Sequence, residues 1–398
     1  MQAMKPEHLR AWWFSRQGLD NSSGQPAAAV LEHTGWARSV GGANPYLTLH
    51  ARGVDSREEI DKALANKDIH ELPSARGCTY VVPKAHYALA LKVGQPSGDP
   101  QDVATAKKFL GVTEEEIRKL EEKVLGALEK QEQDPKQLKD AVGDAVRSLG
   151  DEGKKRGMTT TLPMALGRLQ NDGRIRRVST DGRLDNQRYR YAIWKPSPLD
   201  GNSLSQEQAF TELARLYFKW IGPASLANFQ WFSGLGVKAA KAAVEPLNLG
   251  PIEAGSDLLM LQEDADAFRA FKAPADERIA LIGSLDGLLH LRRDVANHVD
   301  EADQEQKMQG DKALYKLGFV QDLSSHGIVD RGRLIGIWEY DTDASEVAYR
   351  TFSPATAAVK KAVEKTQSFI RDQLGDARSF SLDSPQSRKP KIDFMRKG

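Results

Sequence analysis

The densest chemical signal in these 398 residues is positive charge. Between Lys154 and Lys195 stand eleven basic side chains, Arg168, Arg174, Arg176, Arg177, Arg183 and Arg188 among them, opposed only by Asp172, Asp181 and Asp185. The whole chain carries 56 Lys+Arg against 55 Asp+Glu, a formal charge of +1. No protein-wide field therefore draws in polyanions, and any affinity for nucleic acid must come from this local cluster. Guanidinium groups gathered on one element suit phosphates, which they meet through charge-assisted hydrogen bonds. The plainer reading of the same residues is a solvated hairpin neutralised by acidic helices, such as the stretch 114–132.

Other chemistries find little support. The eight histidines are scattered, with no H-E-x-x-H and no close pair, and His70 (next to Glu71) and His290 stand singly, so no metal site is expected. One cysteine, Cys78, excludes an intramolecular disulfide and any all-cysteine zinc or iron–sulfur site, and fits a reducing cytoplasm. Gly234-x-Gly236-x-x-Ala239 imitates a dinucleotide fingerprint but follows a helical pattern rather than a strand, and so reads as a helix–turn element. There is no G-x-x-x-x-G-K phosphate cradle and no G-x-S-x-G elbow, so no cofactor is expected. No apolar run approaches the ~20 residues of a membrane span, and the opening MQAMKPEHLRAWW lacks a signal-peptide core. The expectation is a cytoplasmic, multidomain protein, monomeric and without a membrane partner.

The basic cluster needs elements to hold it. Thr113 with Glu116 caps a helix bearing Ile117, Leu120, Val124, Leu125 and Leu128 on one face. Asp134-Pro135 opens a second helix, with helical spacing from Leu138 to Leu149, and a third runs from about Thr160 to Gln170. Asn171-Asp172-Gly173 then turns the chain into two β-rich runs, 174–178 and 187–194, around a polar loop. Three helices and a basic-tipped hairpin are the order of a winged helix, whose hairpin and recognition helix meet DNA. The same order comes before it, in helices over 6–17 and 27–34, an amphipathic run over 46–52 and a strand over 78–83. It returns after it, in helices capped by Ser205 and ended by Gly234, a helix over 237–244, and apolar runs 249–252 and 258–261. Linkers at 95–100 and 196–202 divide the copies. Beyond them lie strands at 279–282, 328–329, 334–338 and 347–351, a long helix capped at Ser353-Pro354, and a polar, basic tail from Ser384 that should be loosely held.

Three such modules and a small β unit, with an ordered set of motifs, resemble the AlkZ/YcaQ-type winged-helix DNA glycosylases over most of the chain. The motifs are Arg16-Gln17-Gly18-Leu19, the spacing from Gly35 through Tyr46-Leu47 to Ala51-Arg52, and Arg76-Gly77-Cys78-Thr79 before Val82-Pro83. Leu281-Ile282 through Asp286 and Arg293 is similar to the family's L-L-P-x-x-D segment, with Gly283 in place of its proline. Val329-Asp330-Arg331-Gly332 to Gly336-Ile337-Trp338 is similar to its D-G-x-x-x-G-x-W hairpin. The resemblance implies an α+β fold: winged-helix modules at 1–95, 96–200 and 201–272, then a β-barrel-like domain with a C-terminal helix at 273–398. It also implies a concave face for double-stranded DNA, alkylated or crosslinked, and excision of such bases without a cofactor.

That chemistry is hydrolysis of an N-glycosidic bond. An alkylated purine leaves as a neutral base, so the enzyme has to place a water and stabilise an oxocarbenium-like sugar, for which a carboxylate or amide oxygen suffices. A crosslinked base cannot be turned into a tight pocket, so an open cleft serves better than base flipping. The resemblance assigns this work to a Gln-x-Gln or Gln-x-Asp motif after the glycine matching Gly35, and here those two positions hold Ala37 and Ser39. Tyr80 also stands where the family often has histidine. Glu71 is the nearest replacement carboxylate by motif position, Glu71 and Ser39 are the candidate catalytic residues if the fold brings them together, and Arg38 and Arg76 join the six arginines of the basic cluster as DNA contacts. Two readings stay open: a DNA glycosylase, or a duplex-binding protein of repair or regulation that has lost the catalytic glutamines. A protein-interaction scaffold, which would not bind duplex at low salt, is a third.

Overall fold

The computed structural model describes residues 4–20, 24–95, 100–310 and 312–397, so most of the linker expected at 95–100 lies outside the described residues. The chain is a mixed α+β arrangement in which helices alternate with small antiparallel sheets. Helix Pro6–Arg16 begins on a proline, whose fixed φ suits a first turn. Its tryptophans are core: the Trp12 and Trp13 indole N–H groups donate to the Gly222 and Pro223 carbonyls, each at 2.9 Å. Burying these rings therefore leaves no donor unmet, and it ties the start of the chain to residues 222–223.

Helix Ala27–Thr34 stops at Gly35, whose φ of +104° suits only glycine. After it come β1 (Ala37–Arg38), helices Asn44–His50 and Arg57–Ala65, β2 (Ile69–Pro73) and β3 (Thr79–Pro83), in a sheet of order β1-β3-β2. The segment expected to be amphipathic is buried all round, because Asn44–His50 runs through the core between Leu31 and Trp338.

In the next stretch both sequence caps form reciprocally, Thr113 with Glu116 and Asp134 with Gln137. The second helix does not reach Leu149 as expected. It ends at Val142, where Gly143 turns to φ +54°, and helix Gly150–Lys155 intervenes before helix Leu162–Asn171. Strands β4 (Ile175–Ser179) and β5 (Tyr189–Ile193) make the hairpin. Helices Gln206–Ile221, Leu226–Ser233 and Val237–Val244 then surround a sheet of β6 (Ala224–Ser225), β7 (Leu249–Pro251) and β8 (Leu258–Leu261), ordered β6-β8-β7. Gly234 closes one of these helices in the left-handed region and Gly236 caps the next, so the glycine pattern is a helix–turn–helix joint.

The last part is an open sheet, not a barrel. Strands β9 (Ile279–Ile282), β12 (His326–Asp330), β13 (Arg333–Asp341) and β14 (Glu346–Thr351) lie in the linear order β14-β13-β12-β9, apart from the hairpin β10 (Lys307–Gln309) and β11 (Leu314–Lys316). The sheet has no need to curl closed, because each face is covered by a helix. Trp338, Tyr340 and Val347 pack with Val359 and Val363 of helix Ala357–Phe369, which Thr356 rather than Ser353 caps. Ile337 and Ala348 pack with Ile392 and Met395. Those two belong to the expected loose tail, which is helix Pro385–Arg396, pinned by Arg388 to Asp376 (2.8 Å) and Arg396 to Asp341 (2.9 Å). Among the described residues no helix is long and apolar enough to cross a membrane.

Gly332, in the turn between β12 and β13, offers a test of the close packing. Its φ is +82°, and a Cβ there would lie 2.2 Å from the Arg10 carbonyl oxygen. Gly332→Ala combines a left-handed backbone penalty of about 1–2 kcal/mol with a clash against main chain. Thermal melting should show a midpoint lowered by several degrees, and an unchanged midpoint would contradict this packing.

Candidate active site and nucleic-acid interface

Register in the first sheet puts Ala37, Val81 and Glu71 in one row, so their side chains share a face. Ser39 continues β1, its N–H donating to Thr79 O at 3.0 Å, and lies on that face two residues beyond Ala37. Glu71 reaches back across the sheet to accept a hydrogen bond from the Ser39 hydroxyl. Both are buried, Ser39 at 3 % and Glu71 at 7 % exposure. His70, adjacent in sequence, turns to the opposite face against Tyr87 and Trp194, so it takes no part in this pair.

The hairpin β4–β5 closes over Glu71. Tyr189 hydrogen-bonds to it, and the Arg177 guanidinium, over the Tyr189 ring at 5.0 Å, adds positive charge. Burial is the largest influence on Glu71 and pushes its pKa above the ordinary glutamate value, while Ser39, Arg177 and Tyr189 pull it back. Burial likewise pushes the Tyr80 hydroxyl up to about 12, against the pull of Arg38 and Arg76. The result is a dehydrated carboxylate with one hydroxyl donor on the sheet and a Tyr–Arg pair on the hairpin. When ionised, such a group takes a proton from water or supports positive charge on a neighbouring sugar. Among the described residues no group of three or more His, Cys, Asp or Glu is placed to hold a metal.

The arginines singled out from sequence fall into three sets. Arg38 and Arg177 border the Ser39–Glu71 pair, with Arg38 donating to Thr79 O at 2.7 Å. Arg76, Arg174 and Arg188 are exposed. Arg168 is held by Glu114 (2.7 Å) and Glu121 (2.9 Å), Arg176 faces Glu132 at 3.7 Å, and Arg183 donates to Asp185 (2.8 Å) and Leu374 O. The acidic stretch 114–132 thus neutralises part of the cluster, as the plainer reading expected. Sequence reasoning missed Tyr189 as a partner of Glu71. The alternation Tyr189-Arg190-Tyr191 in a strand next to a basic turn was the signal that could have found it.

A sequence model of the family described as DNA glycosylase AlkZ-like matches residues 31–368. The chain belongs to the AlkZ-like DNA glycosylase family. Among solved structures it is similar to the DNA glycosylase AlkZ of Streptomyces sahachiroi, with a TM-score of 0.68 over 94% of this chain and 98% of that one. The identity is 18%, so the likeness speaks to the fold. No match is found among curated proteins. Glu71 brings a carboxylate to Ser39 from another strand of the sheet.

Proposed function

We propose that this AlkZ-like protein is a DNA-repair glycosylase that hydrolyses the N-glycosidic bond of alkylated or crosslinked bases, with Glu71 and Ser39 standing in for the family's motif. In this reading the three helix-and-hairpin groups are tandem winged helices with boundaries near residues 95, 200 and 272, and duplex DNA lies against Arg38, Arg76, Arg174, Arg177 and Arg188. Water attacks C1′ of the sugar and gives its proton to ionised Glu71. The C1′–N bond breaks, and its electron pair leaves with the base, cancelling the positive charge of the alkylated purine. The single observation that supports this is the Ser39–Glu71 hydrogen bond at a dehydrated site bordered by arginines. A carboxylate is rarely buried away from a salt-bridge partner unless it has work there.

The test is incubation of the protein with N7-methylated and crosslinked duplexes, scoring free base and alkali-labile sites. Release of base with single turnover on an excess of enzyme is expected. The burial of both Ser39 and Glu71 favours a second reading, in which the pair and Tyr189 only dock the hairpin on the sheet and the protein holds duplex DNA without cutting. Salt-sensitive duplex binding with no base released would establish that reading instead.

A further inference from the structure

Trp231, on helix Leu226–Ser233, lies under two guanidinium groups. Arg76 Cζ stands 3.9 Å from the centre of its ring and Arg293 Cζ 5.4 Å, and the His290 ring meets it edge-on at 5.3 Å. The two arginines come from distant segments, yet both have a left-handed backbone, φ +60° at Arg76 and +57° at Arg293. Few residues other than glycine adopt that region, and strain of this kind concentrates where a side chain must be held in one place. The backbone at Gly234 passes close to Arg76, leaving no room for a side chain: a Cβ there would be 2.8 Å from Arg76 Cγ.

The two charges are not equivalent. Arg293 donates to Asp322 at 2.6 Å and is neutralised by it. Arg76 is exposed, and among the described residues it forms no ion pair; its one side-chain hydrogen bond is to the Cys78 sulfur at 3.8 Å. An exposed guanidinium held 3.9 Å over an indole and without a carboxylate partner has the charge and the fork of N–H donors that a phosphate takes. It also stands three residues before Thr79, whose carbonyl accepts from both Ser39 N and Arg38 Nη1. A phosphate held by Arg76 would thus be fixed relative to the Ser39–Glu71 pair.

We infer that Arg76, pinned on Trp231 with Arg293 beside it, is a phosphodiester clamp that sets the register of duplex DNA over that pair. Arg76 is a positioning residue in this scheme, and Trp231 acts through it. The inference rests on the duplex-binding reading above and adds to it one phosphate at a fixed offset from the lesion.

The experiment uses the full chain and duplexes with one N7-methylguanine and a single neutral methylphosphonate moved along each strand, with affinity read by fluorescence anisotropy over a salt series. Wild type should lose about five- to ten-fold at one position more than at its neighbours, as expected when one phosphate contact is removed. Arg76→Ala should erase that peak and make the slope of log K against log salt shallower by about 0.9. Trp231→Leu should also blur the peak, because the charge remains but is no longer held. Arg76→Gln, close in shape and uncharged, repeats the test should the alanine variant fold poorly. An unchanged peak and slope in both Arg76 variants, or a flat profile in wild type, would overturn the clamp while leaving duplex binding intact. Absence of any salt-sensitive duplex binding by wild type would overturn both this inference and the reading beneath it.

Discussion

Glu71→Gln should cut base release by about 10²- to 10⁴-fold, the usual contribution of a positioned acid or base, while duplex affinity stays within about two-fold. Glutamine keeps the shape of Glu71, and its Oε1 can accept from one of the Ser39 and Tyr189 hydroxyls while its Nε2 donates to the other, so the hairpin remains docked and the ability to take a proton is lost. The pH dependence sharpens this. Burial holds the Glu71 pKa above its ordinary value despite Ser39, Arg177 and Tyr189, and only the ionised form takes a proton from water. Base release should therefore rise with pH and level off above that raised value. Stability should move the other way. The folded chain binds this proton more tightly than the unfolded chain, so the stability it contributes is fully present below the ordinary glutamate range and is lost as pH rises through the raised pKa. Single-turnover rates and thermal melts over the same pH series read both trends, and Glu71→Gln should remove this fall in stability. If the wild-type rate were flat across that interval, Glu71 would not be the base.

Much of the frame was legible from sequence because its signals are local. The caps at Thr113, Asp134 and Ser205 work through hydrogen bonds to their own first turns, and all three form. The errors came where distant segments decide. Helix Asn44–His50 has polar residues, Asn44, Thr48 and His50, that are buried by neighbours far along the chain, so its polarity suggested an exposed face it does not have. The basic tail looked free because Asp376 and Asp341, its ionic partners, lie before it in other elements. The site shows the same limit. The motif comparison located Ser39, but no spacing rule links it to Glu71 on another strand or to Tyr189 on the next hairpin, and only strand register brings the three together. Likewise, a count of arginines could not distinguish Arg76, left facing solvent, from Arg168, held by two glutamates.

Breaking the Arg52–Asp286 pair should destabilise the protein more than any other single change considered. Three of the motifs that carry the family resemblance meet there. Arg52 binds both Asp286 carboxylate oxygens (Nη1–Oδ2 2.7 Å, Nη2–Oδ1 3.0 Å) and also donates to Thr48 O and Gln17 Oε1. Gln17 in turn donates to Thr34 O and Trp220 O. Asp286 also caps helix Gly287–His290 by accepting from Leu288 N. The two charged side chains are 1 % and 0 % exposed. One network therefore joins the first helix, the helices on either side of β1, helix Gln206–Ile221 and the start of the last sheet. Asp286→Asn keeps the shape but leaves the buried guanidinium without its counter-charge, at a cost of about 3–5 kcal/mol. The thermal midpoint should fall by about 4–6 °C, and proteolysis should open the junction near Gln17 first. Arg52→Met should do comparable damage by leaving Asp286 unpaired. The pair Arg52→Met with Asp286→Leu should lose much less than the two single changes added together, since removing both charges also removes their desolvation penalty. A fall of less than about 1 kcal/mol in either single variant, as at exposed pairs, would mean that water reaches the joint and that these elements are held together elsewhere.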